Sequence, residues 1–141
     1  MSKPIYSCLW FDGQAKAVAD YYCSIFKEAK IIAENPVVVI IELNHTKFML
    51  LNGGPQFKHS EAVSFVVECD TQEEIDHYWY SLTADGGAES MCGWLKDKWG
   101  VSWQIVPSIL GQLMSNPENG QRVMQALLKM NKLDIAALKN A

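Results

Sequence analysis

Hydrophobic positions along the chain fall into two runs of the same kind, followed by a third that differs. Residues Ile5–Phe11 are apolar and rich in aromatics and read as a strand ended by Asp12-Gly13. From about Gln14 to Phe26, residues Val18, Tyr21, Tyr22 and Ile25 recur at i, i+3, i+4 and i+7, which is one face of a helix. Ile31–Glu34 reads as a short strand broken by Asn35-Pro36, and Val37–Leu43 as a strong one. Asn44-His45 suits a two-residue turn, Thr46–Leu51 returns as a strand, and Asn52-Gly53-Gly54-Pro55 stops it. After a loop over Gly53–Glu61 the pattern begins again. Ala62–Cys69 reads as a strand, Asp70 or Thr71 as a helix cap, and Glu73 and Glu74 as first-turn acids favoured by the helix dipole. The second helix carries Ile75, Tyr78, Trp79 and Leu82 and ends at Asp85-Gly86-Gly87. A short extended piece near Ala88–Met91 leads into Cys92–Pro107, two strands joined by a tight turn around Lys98-Trp99-Gly100.

The four apolar residues of the second helix each lie 57 positions after those of the first. Phe48-Met49-Leu50 falls in the first run where Trp103-Gln104-Ile105 falls in the second, so strand–helix–strand–hairpin occurs twice and reads as a duplication. The third run is helical. Pro107–Met114 reads as a short helix with Ser108 as its cap, and Ser115-Asn116-Pro117-Glu118 as a second start. Val123, Leu127 and Met130 give that helix an apolar stripe, widened by Met124 and Leu128, and Asp134 opens a last turn or two through Leu138. The domain reading is one unit over 1–141: module one at about 1–54, module two at about 60–107, and a helical extension at about 108–141 that covers a sheet edge or a subunit contact.

Composition narrows the function. With 141 residues, 49% hydrophobic and 20% charged, the chain can bury a real core. A net charge of −4 with no basic stripe argues against nucleic acid and against an anionic membrane surface as partners. The N-terminus has no signal-peptide pattern, and no apolar run approaches the ~20 residues of a membrane span, so the expected location is cytoplasmic. Cys8, Cys23, Cys69 and Cys92 form no CxxC pair and read as reduced, mostly buried small hydrophobes.

Strand alternation singles out a wall. On the last strand Val101, Trp103 and Ile105 face one way and Ser102, Gln104 and Val106 the other. An apolar layer suits the first side. A hydroxyl and an amide suit the wall of a partly polar cavity on the second. Asp97 and Lys98 flank the turn and read as its solvated end. His45 in a turn, His59 in the loop and His77 on the second helix read as exposed.

Several stretches together resemble the PhnB-like branch of the vicinal oxygen chelate superfamily (glyoxalase, bleomycin resistance protein, dihydroxybiphenyl dioxygenase). They are Leu9–Ala15, Gly53–Phe57, Ser64–Val67, Cys92–Pro107 and Val123–Ala126, which together span nearly the whole chain. The resemblance implies an α+β fold of paired βαβββ modules, curved mixed sheets around a cavity, and a homodimer. It also carries the label 3-demethylubiquinone-9 3-methyltransferase. The residues offer that chemistry no nucleotide-binding turn: the first strand ends in Asp12-Gly13-Gln14-Ala15, with one glycine, and Gly53-Gly54-Pro55 leads to no helix.

Catalytic members of the superfamily hold a divalent metal with His and Glu from the first and last strands of each module. Carried over by register, those positions fall at Ile5 or Ser7, near Met49, at Ser64 or Ala62, and at Gln104, none of them an ordinary transition-metal ligand. No metal and no cofactor is therefore expected. The parity candidates for a cavity wall are Ser7, Leu9, Met49, Ser64, Ser102 and Gln104. They either fill a packed sheet or orient a small molecule by hydrogen bonds, and buried hydroxyls and amides need partners. Three functions follow: a metal-independent binder of a small, partly apolar molecule, an S-adenosylmethionine-dependent methyltransferase as the label says, and a metal-dependent lyase or dioxygenase.

Overall fold

The computed structural model describes all residues, Met1–Ala141, and separates them into two compact units, Met1–Lys58 and His59–Ala141. The first unit runs β1 (Ser7–Phe11), α1 (Ala15–Ile25), β2 (Ala29–Glu34), β3 (Val38–Leu43) and β4 (Thr46–Asn52). The second runs β5 (Ser64–Cys69), α2 (Gln72–Thr83), β6 (Ala88–Glu89), β7 (Trp94–Lys96) and β8 (Ser102–Pro107), then α3 (Leu110–Ser115), α4 (Gly120–Leu127) and α5 (Ile135–Lys139). The sheets have orders β1-β4-β3-β2 and β5-β8-β7-β6. In each the first and last strands pair in parallel and the remaining pairs are antiparallel. This is the expected α+β fold of two βαβββ modules with C-terminal helices.

One face of each sheet is dry. In the first, Leu9, Phe11, Val39, Ile41, Leu43, Phe48 and Leu50 are buried against Val18, Ala19, Tyr22 and Ile25 of α1. In the second, Val67, Cys69, Leu95, Trp103 and Ile105 are buried with Ile75, Tyr78, Trp79 and Leu82 of α2. Tyr21, the partner of Tyr78 in the repeat, is only half-buried. The C-terminal segment adds its own cluster of Val106, Val123, Leu127, Leu133 and Leu138. Met124 and Leu128 are exposed and do not widen that stripe.

The turns follow local chemistry. Asn44 and His45 both have positive φ, 46° and 74°, which twists the β3–β4 turn to match its strands. At α2, Thr71 Oγ1 caps the helix by accepting from the Glu74 N–H at 3.2 Å, and Glu74 Oε1 reaches back to accept from the N–H of Asp70, just before the cap, at 3.2 Å. Two predicted starts shift. Ser108 does not cap α3 but donates to Asp70 Oδ1 at 2.7 Å. Asn116 Oδ1 accepts from the Glu118 N–H at 2.8 Å and closes a turn, so α4 begins only at Gly120. Asp134 does cap α5, accepting from the Ala137 N–H at 3.0 Å. β1 begins at Ser7, two residues later than expected, and Ile5 is fully exposed.

Candidate functional site

The side of each sheet away from its helix is the more open one, although on the second sheet the C-terminal cluster buries Val106 at one end of it, and strand register decides which residues it carries. On the second sheet Ser64 pairs with Ser102 and Ser102 with Lys96, while Val66 pairs with Gln104 and Gln104 with Trp94. Partners across a ladder point the same way, so these residues share the open face. Gln104 Nε2 donates to Ser64 Oγ at 2.9 Å. Ser102 is 1% exposed and its hydroxyl has no hydrogen-bond partner. Burying a hydroxyl without a partner costs about 1–3 kcal/mol, which an alanine at this position would avoid.

On the first sheet the face carries Met49, which pairs with Cys8 and Ile40, and the adjacent row of Trp10, Leu51 and Val38. Ser7 and Leu9 are on the other side of β1, contrary to the parity expectation. Leu9 pairs with Leu50 and is buried on the α1 face, and Ser7 pairs with Phe48 on that side. The cause is one residue. The helices correspond at a displacement of 57, but the buried strand residues Leu9 and Phe11 match Val67 and Cys69 at 58. The connection Asp12-Gly13-Gln14 is one residue longer than Asp70-Thr71, and Gly13 takes up the difference at φ 74°. A slip of one turns every side chain of a strand over.

Other residues also behave differently from expectation. Asp97 is 2% exposed rather than solvated. Its Oδ1 accepts from the Trp99 and Val101 N–H groups at 3.0 and 3.1 Å, and its Oδ2 from Trp103 Nε1 at 3.0 Å. A carboxylate followed by a positive-φ glycine, Gly100, is a signal for such a turn, and the sequence contained it. Gly53 and Gly54 seat Trp10: the indole N–H donates to the Gly54 carbonyl at 2.8 Å, and a Cβ on Gly53 would stand 2.4 Å from the ring. Phe57 meets the same indole edge-on at 4.9 Å. Of the four free cysteines only Cys69 is buried, and burial, with Glu74 and Asp70 nearby, pushes its thiol up to about 12. Cys8 is exposed, and Cys23 and Cys92 are half-buried.

The donor set does not fit a divalent transition metal. The predicted ligand positions hold a thioether, a hydroxyl and an amide, and the one thiol on these faces, Cys8 opposite Met49, has no His or carboxylate beside it to complete a ligand set. No three His, Cys, Asp or Glu side chains come together to hold one ion. His45 and His77 are exposed and His59 half-buried, and His45 Nε2 contacts Glu28 at 3.0 Å.

Hollows lie on both units. One of about 260 Å³ on the second unit is lined by Trp94, Lys96, Ser102, Ser90, Ala88 and Glu61, among others. Another of about 530 Å³ on the first is lined by the N-terminal residues Lys3–Tyr6 and by Glu42 and His45–Lys47. The second holds none of the candidate wall residues.

The fold is that of the glyoxalase and bleomycin resistance proteins. A glyoxalase/bleomycin resistance protein from Albidiferax ferrireducens is similar over 71% of this chain and 93% of its own, with 12% identity and a TM-score of 0.54. The fosfomycin resistance protein FosX from Listeria monocytogenes, complexed with Mn(II) and sulfate, covers 80% of this chain and 96% of its own, at 13% identity and a TM-score of 0.60. Within that fold, residues 3–106 match the model of the 3-demethylubiquinone-9 3-methyltransferase family, and the chain belongs to that family. The PhnB protein from Bacillus cereus, which carries the same methyltransferase name, is 29% identical, with a TM-score of 0.68 over 75% of this chain and 100% of its own. No curated protein matches the chain.

Proposed function

We propose that this chain binds a small, partly apolar molecule on the open face of its second sheet, without a transition metal. The reading rests on the buried, unpartnered Ser102 hydroxyl. It lies beside the Gln104–Ser64 hydrogen bond, on a face whose other side chains include Trp94 and Val66. Apolar walls with a few fixed polar groups are what a small-molecule site needs. A ligand's polar group would give Ser102 its missing partner, and Trp94 offers a surface for an apolar body. The protein is proposed to be a homodimer, as the resemblance implies, and sedimentation tests that separately. No helix is long and apolar enough to cross a membrane.

The test is a fragment panel of indoles, phenols, aromatic amides and aromatic acids observed by saturation-transfer NMR. Gln104→Leu should abolish the signals seen with the wild-type chain and change stability by less than about 1 kcal/mol, because Gln104 is only partly buried. Fragments that bind Gln104→Leu as well as wild type would sink the proposal, as would a panel that gives no signal at all.

The family description favours a second reading, methyl transfer from S-adenosylmethionine. The mixed sheets have no doubly wound parallel arrangement and no glycine-rich turn opening a helix, so the usual nucleotide crevice has no counterpart. Micromolar binding of S-adenosylmethionine by calorimetry would overturn our preference. One tightly held transition metal per chain in elemental analysis would favour the lyase or dioxygenase reading instead.

A further inference from the structure

We infer that the hollow beside Ser102 is a carboxylate site in which Glu61 stands in for the ligand's own carboxylate. This rests on the binding reading above and names the chemical class of its ligand. Lys96 and Ser64 flank Ser102 on the two neighbouring strands, and Glu61 lies three residues before Ser64. The Lys96–Glu61 ion pair therefore reaches across the strand that carries Ser102. Lys96 and Glu61 are the titratable groups that face this part of the hollow. Glu89 also borders it, but pairs with Leu95, whose side chain is on the buried face.

The two partners of the ion pair are held differently. Lys96 is fixed on β7, between its neighbours in the sheet. Glu61 sits in a turn outside any strand, and its side chain is 64% exposed. The hydrogen bond and charge of Lys96 hold its carboxyl below the usual range, so it stays an anion. An exposed pair of this kind is weak, screened by solvent and salt, so another carboxylate can displace Glu61 at little cost. An incoming acid would place one oxygen on Lys96 Nζ. Its second oxygen would accept from the Ser102 hydroxyl that now has no partner, and its apolar body would lie along Trp94. Water satisfies Glu61 once it is released. Nothing else on the face supplies a cation, so a dianion has only one charge partner here. A monocarboxylate with an aromatic or aliphatic body fits best.

The probes are benzoate and its neutral isostere benzamide, titrated into wild type and variants by calorimetry. Circular dichroism is the folding control. Glu61→Gln should bind benzoate about two- to fivefold more tightly than wild type, because the competing carboxylate is gone, with benzamide unchanged. Lys96→Met, or Lys96→Gln should the first not fold, should weaken benzoate about tenfold or more and leave benzamide alone. Ser102→Ala should weaken benzoate about threefold to tenfold. Benzoate affinity that Glu61→Gln leaves unchanged or lowers would overturn the assignment, and so would benzoate binding that survives both Lys96 variants. If benzamide binds in a manner that Gln104→Leu removes while benzoate ignores Glu61 and Lys96, the carboxylate inference falls and the binding reading stands. If neither probe nor any panel fragment binds, both fall together.

Discussion

The two modules have the same order of elements and the same strand order, yet the middles of their open faces differ in chemistry. On the first sheet the middle holds Cys8, Trp10, Ile40, Met49 and Leu51, with Glu42 and Lys47 paired on the same face toward the β3–β4 turn. On the second it holds Ser64, Ser102, Gln104 and Lys96 among the apolar Val66, Trp94 and Val106. The buried faces show no such contrast, since both are apolar and both lie against one amphipathic helix. Hydrophobic burial against the helix specifies the module. The open face is released from that duty and can vary. Met49 and Gln104 stand at matching places in the two sheets, each flanked by buried neighbours, Phe48 and Leu50 in one and Trp103 and Ile105 in the other. Function is therefore more legible in the difference between the copies than in what they share.

The final hairpins differ as sharply. Positive φ at Asn44 and His45 makes the first turn, whereas the second is organised by a buried carboxylate. Asp97→Ala should therefore have the largest effect of any change considered. It removes three hydrogen bonds and strands the Trp103 indole N–H, at about 3 kcal/mol of stability by urea denaturation. Asn44→Gly should cost about 1 kcal/mol or less, because glycine accepts the same backbone angles and the hydrogen bond lost with the side chain, from the Glu28 N–H, is exposed. A cost below about 1 kcal/mol for Asp97→Ala would mean the two turns are equivalent after all.

A smaller effect separates the ends of the two last strands. Gly53 follows β4 and lies under the Trp10 ring, while Ser108 follows β8 in the matching place and is exposed. Gly53→Ala should cost about 2 kcal/mol through overpacking against the indole. Ser108→Ala loses a surface hydrogen bond to Asp70 and should cost less than about 0.5 kcal/mol. Equal costs, measured as paired melting curves, would show that the Trp10 seat is loose.

These contrasts also mark what could be read from the chain. The helices, the strands and the duplication were legible because their apolar periodicity is carried by large residues, Trp79 and Tyr22 among them. The open-face positions of Met49, Ser64, Ser102 and Gln104 followed from alternation alone. The faces of Ser7 and Leu9 did not, because they depended on counting across a connection one residue longer than its counterpart. Asp97 was missed for another reason. Exposure is the ordinary state of a turn carboxylate, and the spacing from Asp97 to Gly100 marks the turn without showing that the Trp103 indole closes over it. Glu61 and Lys96 lie 35 positions apart, and no periodicity links them.

The smallest effect concerns an attachment that α2 has and α1 lacks. Gln72 Nε2 donates to the Leu133 carbonyl at 2.9 Å, and Gln72 Oε1 accepts from the Ile135 N–H at 2.9 Å, so the C-terminal segment is tied to this helix. Beside it Lys132 Nζ lies 2.7 Å from Asp76 Oδ1. The hydrogen bond from Lys132, and then that from Gln72, lower the Asp76 carboxyl from its ordinary 3.8. The Asp76 hydrogen bond raises Lys132. A depressed carboxyl stabilises the fold above its unfolded value, and that contribution is lost as pH falls through the folded value. A raised ammonium stabilises below its unfolded value, and that contribution is lost as pH climbs through the folded one. The pair should therefore contribute a plateau from about pH 5 to about pH 10. Asp76→Asn should cost about 0.5 kcal/mol on that plateau, since the pair is partly exposed, and the gap to wild type should close in acid as pH falls through the lowered value of Asp76. A gap that persists unchanged in acid would mean that the amide disturbs packing at Gln72. The tie between α2 and the C-terminal segment would then depend on shape rather than charge.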